Sequence, residues 1–151
     1  MKLIGMCSED LASMFEMKDI GLMHYFLGLD MWKQPRETFL GQGKYAIEIL
    51  RWFKMEDCKL MSTPMITNLR KLSSFEGELV DPTLYKQLIR SLMYQVNIRS
   101  DICYAVSTLR EFIVESRRFQ WVAAKDVLKY LCGTMDYGLR YVKNLGGVAR
   151  P

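Results

Sequence analysis

Along five stretches of this chain apolar residues return at the third and fourth positions, the spacing that places them on one side of an α-helix. The first, residues 8–17, carries Leu11, Met14 and Phe15 behind Ser8, an N-cap residue type, with Glu9 and Asp10 suited to the positive end of a helix dipole. Asp19, Ile20 and Gly21 are expected to end it. The second, from Lys44, has a stripe of Ala46, Ile49, Leu50 and Phe53 with Tyr45 and Trp52 on its flanks. Asp81-Pro82 opens the third as an acidic N-cap followed by proline at the first helical position. Tyr85, Leu88, Ile89, Leu92, Met93 and Val96 then form its stripe. Ser100 or Asp101 is expected to cap the fourth, which carries Ile102, Ala105, Val106, Leu109, Phe112 and Ile113. The fifth begins near Phe119, turns Ala124, Val127, Leu128 and Leu131 inward, and stops before Gly133, the residue type that ends helices most readily.

Three segments read as strands. Residues 25–32 form one strand, apolar on both faces at one end and therefore expected to be buried on both sides there. A turn around Pro35 and a short returning strand over 38–40 make a hairpin, and residues 137–142 alternate as a terminal strand. Residues 56–80, with Ser62-Thr63-Pro64, Ser73-Ser74 and Gly77, read as a long connector and the best subdomain boundary, and Gly146-Gly147 as a loose tail. The fold class is α+β, predominantly helical.

Composition narrows the function more by exclusion than by signal. Half the 151 residues are hydrophobic and a quarter charged, as in ordinary globular domains. The net charge of +4 is compatible with a polyanionic partner without requiring one. The four cysteines (Cys7, Cys58, Cys103, Cys132) form no Cys-x-x-Cys pair and read as reduced thiols, Cys103 and Cys132 in apolar helical surroundings. No run of 18 apolar residues occurs, so no membrane partner is expected, and the N-terminus lacks a secretory pattern. There is no phosphate-binding glycine loop. His24 is the single histidine, in a strand-like and half-buried setting, where a structural role is the better reading. Glu9-Asp10 and Glu56-Asp57 read as solvated pairs, so no catalytic or metal-binding constellation assembles. What remains is a set of cations among aromatics: Lys44, Arg51 and Lys54 with Tyr45 and Trp52, then Arg110, Arg117, Arg118 and Lys125 with Phe119 and Trp121. Phosphate contact with base or sugar stacking needs such a set, and solvated helix faces with aromatic core anchors would produce it too.

The order of the segments adds a resemblance. FEMKDIGLMHYFLGLDM, FLGQGKYAIEILRWFKMEDCKLMSTPM, DPTLYKQLIRSLMYQVNIRSDICYAVSTL and WVAAKDVLKYLCGTMDYGLRY are similar, block after block, to the reverse transcriptase region of copia-type LTR retrotransposon polyproteins. That family reads approximately FxMKDLGxxHYFLG, FLSQxKYxxxLLxxFGM, CKPxSTPM, YRQLIGSLxYLxxTRPDIxYAV and HWxAAKRVLRYLxGTxxYGL. The resemblance covers about residues 9–142. It implies the last part of the palm with a primer-grip-like hairpin over residues 1–43, a thumb-like helix and linker over 44–80, and a connection-like helical segment with a terminal strand over 81–151. Within a partial reverse transcriptase fold, Tyr25, Phe26, Leu27, Gly28, Trp32 and Gln42 would belong to the primer grip and Lys44, Tyr45 and Arg51 to the thumb. The implied partner is an RNA–DNA or DNA template–primer duplex, with palm and RNase H segments from elsewhere in the polyprotein. Magnesium is expected only in the full-length polymerase. The family's Tyr-x-Asp-Asp strand turn would lie upstream and its RNase H domain downstream, leaving this piece without catalysis of its own. Such a product would be intracellular, in the cytoplasm within virus-like particles or in the nucleus. The rival reading is a stand-alone helical protein–protein interaction module, self-associating through exposed stripes. Departures from the family pattern occur at Gly41 (Ser), Arg90 (Gly), Ser100 (Pro) and Gln120 (His). Of these, Arg90 needs room and a partner that glycine would not.

Overall fold

A computed structural model describes residues 2–16, 21, 23–65 and 77–143. In chain order they form α1 (Lys2–Met14), β1 (Tyr25–Phe26), β2 (Leu29–Lys33), β3 (Glu37–Gly41), α2 (Gly43–Trp52) and α3 (Pro82–Gln95). A 3₁₀ turn (Ser100–Ile102), α4 (Cys103–Arg110), α5 (Arg118–Gly133) and β4 (Gly138–Val142) follow. Among these residues the fold is mixed, with five α-helices and one antiparallel sheet in the order β1-β2-β3-β4.

The helical stripes meet as one core. Ile49 and Leu50 from α2, Leu88, Ile89 and Leu92 from α3, Val106 and Leu109 from α4, and Val127, Leu128 and Leu131 from α5 are all buried in a single cluster. Each such side chain removed from water contributes about 1.5–3 kcal/mol before entropy, so four amphipathic helices of modest length suffice to build the body. Tyr85 is also fully buried, and its hydroxyl donates to the Leu109 carbonyl at 2.8 Å, tying α3 to α4. Asp81 caps α3 as expected, accepting from the Thr83 N–H at 2.7 Å, with Pro82 at the first position. The outer stripe members loosen: Met93 is exposed, and Phe112 and Ile113 are half-buried beyond the end of α4.

The sheet is closed by the far end of the chain. β4 pairs along the whole of β3, from Gly41 opposite Gly138 to Glu37 opposite Val142. The hairpin is thereby held by a segment about a hundred residues away, and Arg140 adds an ion pair to Glu37. Gly138 makes the close pairing possible, because a Cβ there would run into the Leu40 carbonyl and the Phe39 ring. Gly41 likewise leaves space that the rings of Trp32 and Phe39 occupy, 5.5 Å apart.

Several local expectations are corrected. Residues 25–32 are two strands, because Leu27 (φ 47°) and Gly28 (φ 75°) together make the left-handed two-residue turn that suits a hairpin. Burial on both faces does not follow: Phe26 and Leu27 are exposed. The first helix runs from Lys2 to Met14, so Ser8 lies inside it and Phe15 beyond its end, while Asp19 and Ile20, expected with Gly21 to end it, lie outside the described set. So do Ser73, Ser74, Gly146 and Gly147. Neither Ser100 nor Asp101 caps α4; the 3₁₀ turn precedes it and Asp101 is drawn into an ion pair. Gly133 is the last residue of α5, with Thr134 as the C-cap. His24, just before β1, and Cys103, the first residue of α4, are both exposed.

Candidate functional site

β2 and α2 meet at a buried acid. Asp30 is 2% exposed and lies beneath the first turn of α2, where its carboxylate accepts the Lys44 backbone N–H at 3.4 Å. Gln42, the residue before the helix, supplies no side-chain cap, so the acid from the neighbouring strand serves the positive helix end instead. Lys44 Nζ lies 3.0 Å from Asp30 Oδ1, an ion-pair distance without the alignment of a hydrogen bond. The same ammonium group sits 4.9 Å from the centre of the Tyr25 ring. The sheet edge and the helix start thus share one cation.

Tyr94, near the end of α3, ties the hairpin tip to the helical body. Its hydroxyl donates to the Leu27 carbonyl across 67 residues of sequence. Its ring stands edge-on to Tyr45 at 4.9 Å, and Tyr45 stands edge-on to Trp52 at 6.2 Å. Gly28 permits the approach of Tyr94: a Cβ there would be 3.1 Å from Tyr94 Cε1. The close passage that the glycine allows is therefore used first by the protein's own tyrosine. Beneath, Gln42 Nε2 donates to the Tyr94 carbonyl at 3.2 Å and Gln95 Nε2 to the Gln42 carbonyl at 3.5 Å, both glutamines being buried. Burial raises the Tyr45 phenol above its ordinary pKa, against the pull of a hydrogen bond with Ser91; Tyr94 and Glu48 add to the rise.

Of the nine residues singled out from sequence, Tyr25, Leu27, Gly28 and Tyr45 line one groove of about 350 Å³, which Glu48 and Tyr94 complete. Lys44 stands beside it over Tyr25. Phe26 is exposed in β1, next to the tip. Trp32 is also exposed but faces Phe39 further along the sheet. Gln42 is buried below the groove, and Arg51, at the opposite end of α2, is paired with Glu56 at 3.0 Å. Sequence reasoning passed over Tyr94, Asp30 and Glu48. Glu48 lies one helical turn from Tyr45, but nothing local joins Tyr94 to the hairpin.

A second polar cluster orients β4. Arg99 is 3% exposed and grips the Asp101 carboxylate through Nε (3.0 Å) and Nη2 (2.7 Å). It also donates to the Thr134 carbonyl at 2.8 Å and hydroxyl at 2.6 Å, just past α5. Its guanidinium lies over the rings of Tyr130 and Tyr137, at 5.6 and 5.3 Å. The arginine of the Arg-Ser-Asp run therefore anchors the Gly-Thr-Met turn that leads into β4.

No family model and no solved structure matches the chain. Among curated proteins, an uncharacterized mitochondrial protein of Arabidopsis thaliana is 38% identical over 142 residues, covering 94% of this chain and 59% of the relative. The retrovirus-related Pol polyprotein from the Arabidopsis transposon RE2 is 36% identical over 132 residues, 87% of this chain and 9% of the polyprotein. That from the Nicotiana tabacum transposon TNT 1-94 is 32% identical over 141 residues, 87% of this chain and 11% of the polyprotein. The chain spans about three fifths of the first relative and about a tenth of the polyproteins. Over most of its length the chain is thus homologous to one short segment of the retrovirus-related Pol polyproteins of copia-type transposons.

Proposed function

We propose that this segment is the part of a reverse transcriptase that holds the template–primer duplex, with the β1–β2 tip as a primer-grip-like element and α2 as a thumb-like helix. The observation that carries the reading is the groove shared by Tyr25, Leu27, Gly28 and Tyr45, with Lys44 at its rim. An exposed aromatic, an accessible turn backbone and a cation at one edge are the parts that a sugar–phosphate chain and a terminal base require. The 151 residues contain no Tyr-x-Asp-Asp run, so holding the duplex, and not nucleotide addition, is the role assigned to them.

Fluorescence anisotropy of a labelled RNA–DNA hybrid titrated with the chain tests this. Binding is expected, weakening steeply with salt because phosphate neutralisation releases counterions. Tyr25→Ala should lower affinity at least about fivefold, the weaker end of what one base stack contributes. A chain that binds no duplex at low salt refutes the proposal. A second reading, a protein-binding surface, is favoured by α1 and its end, where Met6, Met14 and Phe15 are 61%, 70% and 63% exposed. Light scattering after size exclusion separates the two, because the second expects self-association with no response to duplex.

A further inference from the structure

Charge is divided unevenly on the two sides of the Tyr45–Tyr94 pair. On the hairpin side the groove is lined by an acid, Glu48, and the nearby Lys44 is already held by Asp30 at 3.0 Å. On the α3 side the same two tyrosines wall a larger groove of about 530 Å³, lined by Lys86, Gln87 and Arg90 and by no carboxylate. Lys86 and Arg90 are four residues apart on α3 and both exposed, so they present their charges about one helical turn apart along the groove. Among the described residues the side chain of neither has an ion pair or a hydrogen bond. Arg51, the other cation expected on the thumb-like helix, is by contrast paired with Glu56 at 3.0 Å.

A cation that already has a carboxylate must give it up, or share it, to take a phosphate; an unpaired cation loses only water. Thr83 and Gln87 add neutral hydrogen-bonding groups without adding repulsion. The room that Arg90 needs is therefore present, and no protein group fills it.

We propose that the α3 groove is a binding site for the phosphate backbone of a nucleic-acid duplex, Lys86 and Arg90 each taking a phosphate while the Tyr45–Tyr94 wall separates this track from the hairpin tip. The proposal rests on the template–primer reading and deepens it, moving the main phosphate-binding surface from α2 to α3.

The test uses the full chain and a labelled RNA–DNA hybrid, with affinity measured across a salt series for the wild type, K86A/R90A, R90K and K44A/R51A. Both α3 residues are exposed, and circular dichroism checks that the variants stay folded. K86A/R90A should weaken binding about tenfold or more at low salt and flatten the slope of log affinity against log salt by nearly 2, about 0.9 for each phosphate that is no longer neutralised. R90K keeps the charge and should keep the slope. K44A/R51A should flatten it less, because those cations are already paired. A slope unchanged in K86A/R90A but flattened in K44A/R51A overturns this assignment and leaves the template–primer reading standing. A wild type that binds no duplex overturns both.

Discussion

Replacing Arg99 with alanine is expected to cost the fold about 3 kcal/mol, and the figure follows from what the guanidinium touches. Arg99 is 3% exposed and makes four hydrogen bonds, two to the Asp101 carboxylate and two to Thr134. Removing one partner of a buried pair costs roughly 3–5 kcal/mol, mostly through the charge left behind. The low end applies, because the Asp101 side chain is 33% exposed and keeps the Tyr130 hydroxyl at 2.8 Å. The Thr134 carbonyl likewise keeps the Tyr137 N–H at 3.1 Å. At about 2–4 °C per kcal/mol for a chain of this size, the midpoint of thermal unfolding should fall by about 6–12 °C. Urea unfolding followed by circular dichroism at pH 7 measures the loss directly. A loss under about 1 kcal/mol refutes the reasoning, since it would mean that water already solvates this pair.

The same variant carries a pH signature. Burial pushes the Asp101 carboxyl up, but hydrogen bonds from Arg99 and Tyr130 and the guanidinium charge outweigh it and hold the group below its ordinary value. A folded pKa lower than the unfolded one means stability that is present above about pH 4 and lost as pH falls through the lower, folded value. The gap between wild type and Arg99→Ala should therefore narrow below about pH 4. A constant gap from pH 7 to pH 3 contradicts the assignment of Asp101 as the partner that matters.

Two further substitutions probe the sheet. Gly138→Ala puts a methyl group against the Leu40 carbonyl and the Phe39 ring, and should cost about 1–3 kcal/mol while loosening β4 from β3. Faster amide hydrogen exchange along β3 would show the separation; unchanged exchange would mean that the backbone shifts to accept the methyl. Leu27 holds φ 47° while 70% exposed, so it bears left-handed strain without any packing in return. Leu27→Asn should raise stability by about 0.5–1 kcal/mol, because asparagine tolerates that conformation and favours this turn. A drop in the unfolding midpoint would count against a strained tip.

The helical body was legible because its signals are local. A stripe at period 3.6 says which side of a helix is buried whatever it packs against, and Asp81-Pro82 starts α3 within three residues. The hairpin turn was not, because leucine at position 27 is chemically silent as a turn residue and completed an apolar run that read as one strand. The partner of β4 was equally hidden: alternation predicts an extended segment but does not say which edge it will find.

The homology to copia-type Pol polyproteins could be read from residue order alone, since it is a property of contiguous blocks. What the tertiary structure alone decided is which charges are committed. Lys44 and Arg51 looked like free cations on an exposed helix face, yet Asp30, two strands earlier, and Glu56, beyond the helix end, hold them. Arg90 looked like a misfit, yet it stands exposed with Lys86 over an open groove. Pairing depends on distances of a few ångströms between side chains from separate elements, because charge attraction in water fades within about 10 Å, and no spacing along the chain encodes such distances.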